Sequence, residues 1–264
     1  MTTALAAPVH GGLRNAAGDA LTLIGRCIRL TRRDADTLVM SIVLPLLMMM
    51  LFVFVFGGAI TTGGAYIDYV VPGIVLLCTG YGAASTAMSV AADTESGMVD
   101  RLRSLPIPGW TVLTGHVVAS VTRNALSTAV VVTAAVLMGF RPDAGPGEWL
   151  LAVGLLLLYV LALSWSAAGL GVLASSVESA SAFSFAMLFL PYLSSAFVPT
   201  ESMPAVLQAV ADHQPITPVI ETVRGLLTGT PIGDAGWVAL GWCTGLLAAA
   251  ATFASWAFRR TTRD

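Results

Sequence analysis

The stretch Glu95-Ser-Gly-Met-Val-Asp-Arg-Leu-Arg-Ser-Leu-Pro106 is a short charged segment between two long apolar segments. Asp93 lies just before it, and the apolar segments on both sides hold almost no charge. Its glycine is suited to a turn, and its final proline is suited to ending a short helix. The pattern therefore predicts a short helix outside the membrane, between two membrane spans, where a soluble partner can bind.

The composition indicates that lipid surrounds much of the chain. Of 264 residues, 56% are hydrophobic and 11% are charged, whereas soluble domains have about 25% charged residues. The mean hydropathy is +0.82. An apolar excess of this size cannot be buried in one water-soluble core, so we expect a membrane protein.

The polar residues exclude several kinds of chemistry. All 13 basic residues are arginine. A phosphate-binding loop of the Walker A type needs a lysine, so the chain is not expected to hydrolyse ATP or to be an enzyme. Cys27, Cys78 and Cys243 are far apart, and no Cys/His/Asp cluster is present, so neither a metal site nor a resident cofactor is predicted. Basic patches with interleaved aromatic residues are absent, which argues against nucleic-acid binding.

Three segments are predicted to lie outside the spans. Residues 1–17 are small and lack periodicity, which predicts a disordered tail. Residues 18–34 have an apolar helical face and predict an amphipathic helix in the headgroup plane, with an ordinary solvated helix as the alternative. Residues 259–264 are predicted to form a C-terminal tail. The arginines on the other side of the amphipathic helix are Arg26, Arg29, Arg32 and Arg33.

Residues 38–258 are predicted to form an all-α transmembrane domain with six spans. Charge-free windows of 22 to 31 residues exceed the roughly 20 residues that a helix needs to cross the hydrocarbon core. One further segment is interrupted only by Arg123. Uniformly apolar segments of this length favour helices over barrel strands. The predicted spans are 38–56, 69–91, 112–138, 149–174, 180–198 and 236–258.

The arginines also predict the orientation. With six spans, both termini lie on one side, together with the stretch 95–106. That side holds ten arginines and the other holds Arg141 and Arg224, when Arg123 is set aside. Basic residues accumulate on the cytoplasmic side, so both termini and the charged stretch are predicted to be cytoplasmic.

Arg123 has two possible positions. If its span starts at residue 112, Arg123 lies roughly 16 Å inside it, where it would contact a substrate or pair with another helix. If residues 124–140 span the membrane alone, Arg123 extends to the cytoplasmic interface. The sequence leaves both positions open.

The segment 199–234, before the last span, contains two short helical pieces separated by prolines. The second piece carries an apolar stripe at helical spacing, which is too apolar for open water. We expect a re-entrant-like pair of half-helices that enters the outer leaflet. A helix pair packed on the surface of the spans is the alternative.

Taken in order, these motifs resemble type-2 ABC transporter permeases, and more closely the daunorubicin-resistance-type drug exporter permeases. The resemblance covers nearly the whole chain beyond about residue 18, and it includes the pattern Glu-x-Gly-x3-Arg-x3-Leu-Pro after the second span. The other motifs that carry it are Asp34-Ala-Asp-Thr-Leu38, Leu44-Pro45, Phe54-Val-Phe-Gly-Gly58, Tyr69-Val-Val-Pro-Gly73, Phe197-Val-Pro199, Met203-Pro204, and His213-Gln-Pro-Ile-Thr-Pro218 followed by Arg224.

The resemblance implies a permease that works as a homodimer or heterodimer on two cytoplasmic ATPase subunits, which would bind ATP and Mg²⁺. It implies the export of hydrophobic or amphipathic compounds, such as drugs, antibiotics or lipid-like natural products, across the bacterial plasma membrane. It also implies that the amphipathic helix and the charged loop contact the ATPase. The residues that would couple the two subunits are Glu95, Gly97, Arg101, Arg103, Leu105 and Pro106.

Other functions stay open at this stage. Sibling permeases export lipid-linked glycans or polymers, although short outer loops favour small substrates. A carrier that is not coupled to ATP would usually need buried carboxylates, and the charge-free spans have none. A membrane scaffold or sensor would have no ATPase partner and would tolerate changes in residues 95–106.

Overall fold

The computed structural model describes residues 13–60, 62, 64–103 and 109–260, and all regular structure in these ranges is helical. A π-helical segment, Leu51–Phe56, extends the second helix, and 3₁₀ turns lie at Leu190–Leu193 and Thr200–Ser202. The α-helices are α1 (Leu13–Arg33), α2 (Ala35–Met50), α3 (Tyr66–Glu95), α4 (Met98–Arg103), α5 (Gly109–Leu137), α6 (Pro146–Leu173), α7 (Val177–Phe189), α8 (Ala205–His213), α9 (Ile216–Thr228) and α10 (Ala235–Arg260).

Within the described ranges, five helices are long and apolar enough to cross a membrane: α2 with its π-helical extension, α3, α5, α6 and α10. They coincide with five of the six predicted spans, so the all-α, multi-pass prediction is confirmed. The segment predicted to span at 180–198 differs. Helix α7 has 13 residues and is about 20 Å long, whereas the hydrocarbon core is about 30 Å thick. A sixth spanning helix is therefore not confirmed.

Helix α7 is short because a proline and a serine interrupt the apolar segment. Pro191 lies in the 3₁₀ turn that follows α7 and has no N–H to continue the helix. The Ser194 hydroxyl donates to Pro191 O at 2.5 Å, and the Ala196 N–H donates to Ser194 Oγ at 3.2 Å. These contacts form a compact turn that a count of uncharged residues does not detect.

Two predicted boundaries differ from the helix ends. Helix α1 begins at Leu13, so the boundary predicted between residues 17 and 18 lies inside a helix. Helix α10 continues through Arg260, two residues beyond the predicted end of the last span. The rest of the two predicted tails, residues 1–12 and 261–264, lies outside the described residues.

Helix α3 is the centre of the bundle. In its membrane window 78% of the residues are buried, against 17% in α2 and 22% in α10. It packs against α5, α6, α7 and α9. Small residues permit this close approach: a β-carbon at Gly73 would lie 2.6 Å from Ala196 Cβ, and one at Gly171 of α6 would lie 2.5 Å from Ala87 O. Helix α3 thus connects the charged stretch at its end to most of the other spans.

Candidate functional site

The charged stretch leaves the bundle through a left-handed turn at the end of α3. Gly97 has a φ of 70°, a conformation that favours glycine. The Ser96 N–H donates to Ala92 O at 3.0 Å, and the Gly97 N–H donates to Thr94 O at 3.1 Å, which completes the last turn of α3. Helix α4 starts at the next residue, so Gly97 sets its direction.

Helix α4 is anchored by its apolar side. Val99 is only 2% exposed and lies in a buried cluster with Leu23 of α1, Leu113 of α5 and Phe258 of α10. Leu102 packs against the same cluster. Closely packed side chains resist compression, so a displacement of α4 is passed to these three helices.

The predicted coupling residues lie around this anchored helix. Arg101 is exposed on α4, the helix whose Val99 is buried, and Glu95, the last residue of α3, is exposed as well. Arg103 is the last residue of α4. The predictions for Leu105 and Pro106 lie outside the described residues.

Three titratable side chains from three helices meet beside this turn: Arg26 of α1, Asp93 of α3 and His116 of α5, which we call the charge cluster. Arg26 Nη1 donates to Asp93 Oδ2 at 2.7 Å, and Nη2 donates to Oδ1 at 3.0 Å. His116 Nε2 lies 3.2 Å from the same Oδ2. The hydrogen bonds to Asp93 raise the pKa of Arg26. The three side chains are at most 26% exposed, so water screens the pair only in part.

The charge cluster joins α1 to both sides of the charged stretch. Asp93 lies in the last turn of α3, before the stretch, and His116 lies near the start of α5, after it. Helix α1 also approaches α5 closely, because a β-carbon at Gly115 would lie 3.3 Å from Cys27 Sγ. A movement of α4 relative to the bundle must therefore displace α1 or break these contacts.

The arginines predicted on the polar side of α1 differ in environment. Arg26 pairs with Asp93 inside the bundle, whereas Arg29 and Arg33 are exposed. Arg32 lies in the last turn of the helix. The amphipathic pattern predicts an outward-facing Arg26 and does not reveal its partner.

Arg123 lies in the middle of a continuous helix and is buried. Helix α5 runs without interruption from Gly109 to Leu137. Arg123 is 6% exposed, and its Nη2 donates to Gly82 O at 3.1 Å and to Thr86 Oγ1 at 3.0 Å. Arg123 of α5 thus contacts α3 through its guanidinium.

At the opposite end of α3, a group of contacts that we call the carbonyl latch holds the start of the helix. Arg224 of α9 donates from Nε to Tyr69 O at 3.1 Å and from Nη2 to Ser195 O at 2.6 Å. Its guanidinium also lies 3.7 Å from the centre of the Tyr69 ring, a cation–π contact. The Tyr66 hydroxyl donates to Phe197 O at 2.8 Å. The segment that follows α7 is thereby tied to α3.

Sequence reasoning missed the charge cluster, because 67 positions separate Arg26 from Asp93. A usable signal was present, since Asp93 and His116 flank the charged stretch at the ends of two apolar segments. Within the part of the chain that the structure describes, no group of three or more His, Cys, Asp or Glu residues is arranged to hold a metal ion. The site therefore offers ionic contacts and packing.

These features define a multi-pass helical membrane protein with a charged, anchored helix at the junction of two spans. The family of ABC-2 type transporters matches residues 19–228, which is most of the chain. The chain therefore belongs to this family.

Its relatives include permeases with drug-resistance names. The chain is 29% identical over 232 residues to the daunorubicin resistance ABC transporter permease protein DrrB1 of Streptomyces coeruleorubidus, across 87% of this chain and 82% of that protein. It is 25% identical over 245 residues to the probable doxorubicin resistance ABC transporter permease protein DrrC of Mycobacterium tuberculosis, across 91% and 89%. The putative transport permease ycf38 of Pyropia yezoensis is 26% identical over 209 residues, across 77% and 72%. The predicted resemblance is confirmed.

Proposed function

We propose that this permease is the membrane subunit of an ATP-driven exporter of hydrophobic or amphipathic compounds. The observation that carries the proposal is helix α4, anchored by Val99 and joined through the charge cluster to α1, α3 and α5, in a chain without a lysine for a Walker A loop. Membership of the family implies a separate ATP-binding subunit and a second permease. ATP and Mg²⁺ would bind to the partner, and this chain would supply no catalytic residue.

The coupling surface in this proposal is the exposed side of the stretch 95–106. Glu95 and Arg101 supply charge of both signs there. Carboxylates of the ATPase subunit would pair with Arg101 and Arg103, because a guanidinium fork binds a carboxylate through two hydrogen bonds. Leu105 and Pro106 would complete the surface. Two permeases would present two such surfaces to two ATPase subunits.

The positions of the helix ends support six crossings. Val172 at the end of α6 and Phe258 near the end of α10 belong to the buried cluster around α4, so these ends share one side. The Asp143 N–H donates to Leu227 O at 3.0 Å, so the start of α6 and the end of α9 share the other side. In this proposal residues 174–234 cross once, and α7 together with its 3₁₀ turn would make that crossing. The arginine excess would make the α4 side cytoplasmic, with both termini there.

The pair α8–α9 supports a re-entrant segment on the outer side. Helix α9 buries Val219, Ile220 and Val223, and it packs against α3, α6 and α10. Helix α8 instead exposes Val206 and Val210. Apolar side chains exposed on a short helix beside the spans are suited to the outer leaflet. The pair would therefore enter that leaflet without crossing it.

The second permease would bind on the side of α2 and α7. Both helices pack on α3, and they expose Met40 and Leu47 of α2 and Phe185 of α7. The cavity between them is also lined by Ser85 and Ser181. These serines place polar groups within an apolar face. Such a surface is suited to an amphipathic substrate that moves between two permeases. The names of two relatives refer to daunorubicin and doxorubicin resistance, which supports a substrate of that kind.

A cross-linking experiment in the native membrane tests the coupling surface. A photoreactive amino acid replaces the exposed Ser96, and the control variant carries it at the exposed Glu201, on the opposite side in the proposed topology. We expect the Ser96 variant alone to cross-link a soluble protein with a Walker A motif, identified by mass spectrometry. Cross-links to that protein from Glu201, or from neither position at equal expression, would contradict the proposal.

A transport assay tests the activity. Vesicles that contain the permease and the captured ATPase should move daunorubicin only when ATP is supplied on the ATPase side. Movement without ATP would indicate an uncoupled carrier, and a captured ATPase without drug transport would favour a lipid-linked glycan or polymer as the substrate.

A further inference from the structure

Arg123 forms part of the wall of a polar cavity of about 270 Å³ between α1, α3 and α5. The cavity lies beside the charge cluster. Leu30 of α1 and Asp34, which caps the start of α2, line it, so the cavity is at the level of α1, the predicted interfacial helix. The remaining lining residues are Cys27, Thr31, Thr86, Ser89, Ala92, Asp93, His116 and Ala119.

Among the described residues, the exposed carboxylate of Asp34 acts on the Arg123 charge only through space, and no carboxylate forms an ion pair with Arg123. Both of its hydrogen bonds come from Nη2, and they go to the uncharged oxygens of Gly82 and Thr86. Its Nε is buried without a partner, and no ion pair among the described residues includes Arg123. A buried guanidinium without an anion is costly, so the site calls for a negatively charged ligand.

Asp93 and Asp34, the two acidic residues that line the cavity, do not neutralise the charge of Arg123. Both oxygens of Asp93 are bound by Arg26, and His116 also lies within 3.2 Å. Asp34 is exposed, and its Oδ1 accepts the Thr37 N–H at the start of α2. Water screens the charge of an exposed carboxylate strongly. The N–H groups of Arg123 that have no acceptor thus remain available.

We propose that this cavity binds the phosphate group of a phospholipid from the leaflet on the α4 side. A guanidinium binds phosphate oxygens through two parallel hydrogen bonds. A volume of about 270 Å³ fits a headgroup phosphate and is below the roughly 300–1,000 Å³ of pockets that enclose drug-sized ligands. An arginine that lies between spans at this level is suited to a lipid headgroup. This leaflet is cytoplasmic in the orientation proposed above, but the binding does not depend on that orientation or on an ATPase.

Native mass spectrometry of the purified permease, without ATPase, tests the proposal. Dioleoyl phosphatidylglycerol is titrated in detergent, and inorganic phosphate is titrated in parallel. We expect one lipid to be retained after the other lipids are stripped. Arg123→Gln should weaken that retention about tenfold, because it removes a charge-assisted hydrogen-bonded pair. Arg123→Lys should retain only part of the affinity, because a lysine keeps the charge but not the two parallel hydrogen bonds. The control Arg29→Gln, which removes an exposed charge from α1, should not change the retention.

A second variant keeps Arg123 and fills the cavity instead. Ser89 is exposed, lines the cavity, and its hydroxyl donates only to Ser85 O of its own helix, so Ser89→Phe should fold and still lose the retained lipid. Phosphate binding that depends on Arg123, without retained lipid, would assign the site to a soluble phosphate compound. Equal lipid retention by wild type, Arg123→Gln and Ser89→Phe would overturn the proposal.

Discussion

At one end of α3, Asp93 meets Arg26 and His116 through side chains alone. At the other end, Arg224 binds the backbone carbonyls of Tyr69 and Ser195. The charge cluster can open by rotating side chains, with little change in the backbone. The carbonyl latch can open only if the half-buried Arg224 leaves two backbone acceptors without that donor.

This difference separates a part of the bundle that is suited to movement from a part that is suited to rigidity. Helix α4 and the charged stretch lie beside the charge cluster, where a partner's motion would arrive. The carbonyl latch lies beside α9, which is packed against α3, α6 and α10. We therefore expect substitutions at the latch to affect folding most and substitutions at α4 to affect transport most.

The largest loss of stability is expected from Arg224→Ala. The change removes two charge-assisted hydrogen bonds and a cation–π contact, which should lower the free energy of unfolding by about 3 kcal/mol. Thermal unfolding in detergent measures it. The matched control is Arg141→Ala, because the Arg141 guanidinium binds carbonyls only in its own neighbourhood, at Val136 and Phe140. Equal losses in the two variants would show that the latch has no special role.

An intermediate effect is expected from Asp93→Asn. It removes the negative charge between Arg26 and His116 and should lower the free energy of unfolding by about 1–2 kcal/mol. A double-mutant cycle with Arg26→Gln should give a coupling energy of at least about 0.5 kcal/mol, because the two side chains are in contact. Asp212→Asn, at an exposed position, is the control. If the losses of stability in Asp93→Asn and Arg26→Gln were additive, the charge cluster would not couple α1 to α3.

A smaller effect is expected from Gly97→Ala. An alanine at φ 70° should cost about 1 kcal/mol. The control is Gly147→Ala, in the first turn of α6, where a β-carbon meets no atom within 4 Å and alanine favours the helix. Drug-stimulated ATP hydrolysis in the assembled transporter should fall for Gly97→Ala only, because the turn sets the direction of α4. An unchanged rate of drug-stimulated ATP hydrolysis would show that this turn has no role in coupling.

The smallest change in stability, within about 0.5 kcal/mol, is expected for Glu95→Ala and Arg101→Ala, because both side chains are exposed. Both variants should insert normally and uncouple ATP hydrolysis from transport. Glu201→Ala and Arg141→Ala are the controls for loss of charge on the opposite side. Full transport by Glu95→Ala or by Arg101→Ala at equal expression would contradict the coupling role of the stretch.

The spans were predictable because crossing a membrane requires a long apolar helix, and charge-free windows detect that requirement directly. The same windows do not show where α7 ends, since Pro191 and Ser194 in the turn after it carry no charge. A charge-free window shows that a segment is apolar enough for lipid, whereas the continuity of a helix depends on backbone hydrogen bonding. A proline alone does not decide the outcome, because Pro45 and Pro72 lie inside the continuous helices α2 and α3.

The charged stretch was predictable as a surface feature, but its attachment was not. Val99 is an ordinary apolar residue in the sequence, and its burial depends on side chains from α1, α5 and α10. Arg26 followed the amphipathic pattern of α1 and nevertheless turns toward Asp93. Arg123 could be placed only to within two alternatives, because the register of α5 against α3 is a tertiary property.

The central position of α3 has a consequence for how the protein is made. Helices α5, α6, α7 and α9, which surround it, are all synthesised after it. Its membrane window is less apolar than that of α2, and its Gly82 and Thr86 oxygens receive Arg123 only once α5 exists. A nascent chain that ends after α3 therefore holds a span whose partners are still missing. We expect α3 to stay beside the translocon until α5 arrives, and the two helices to enter the lipid together.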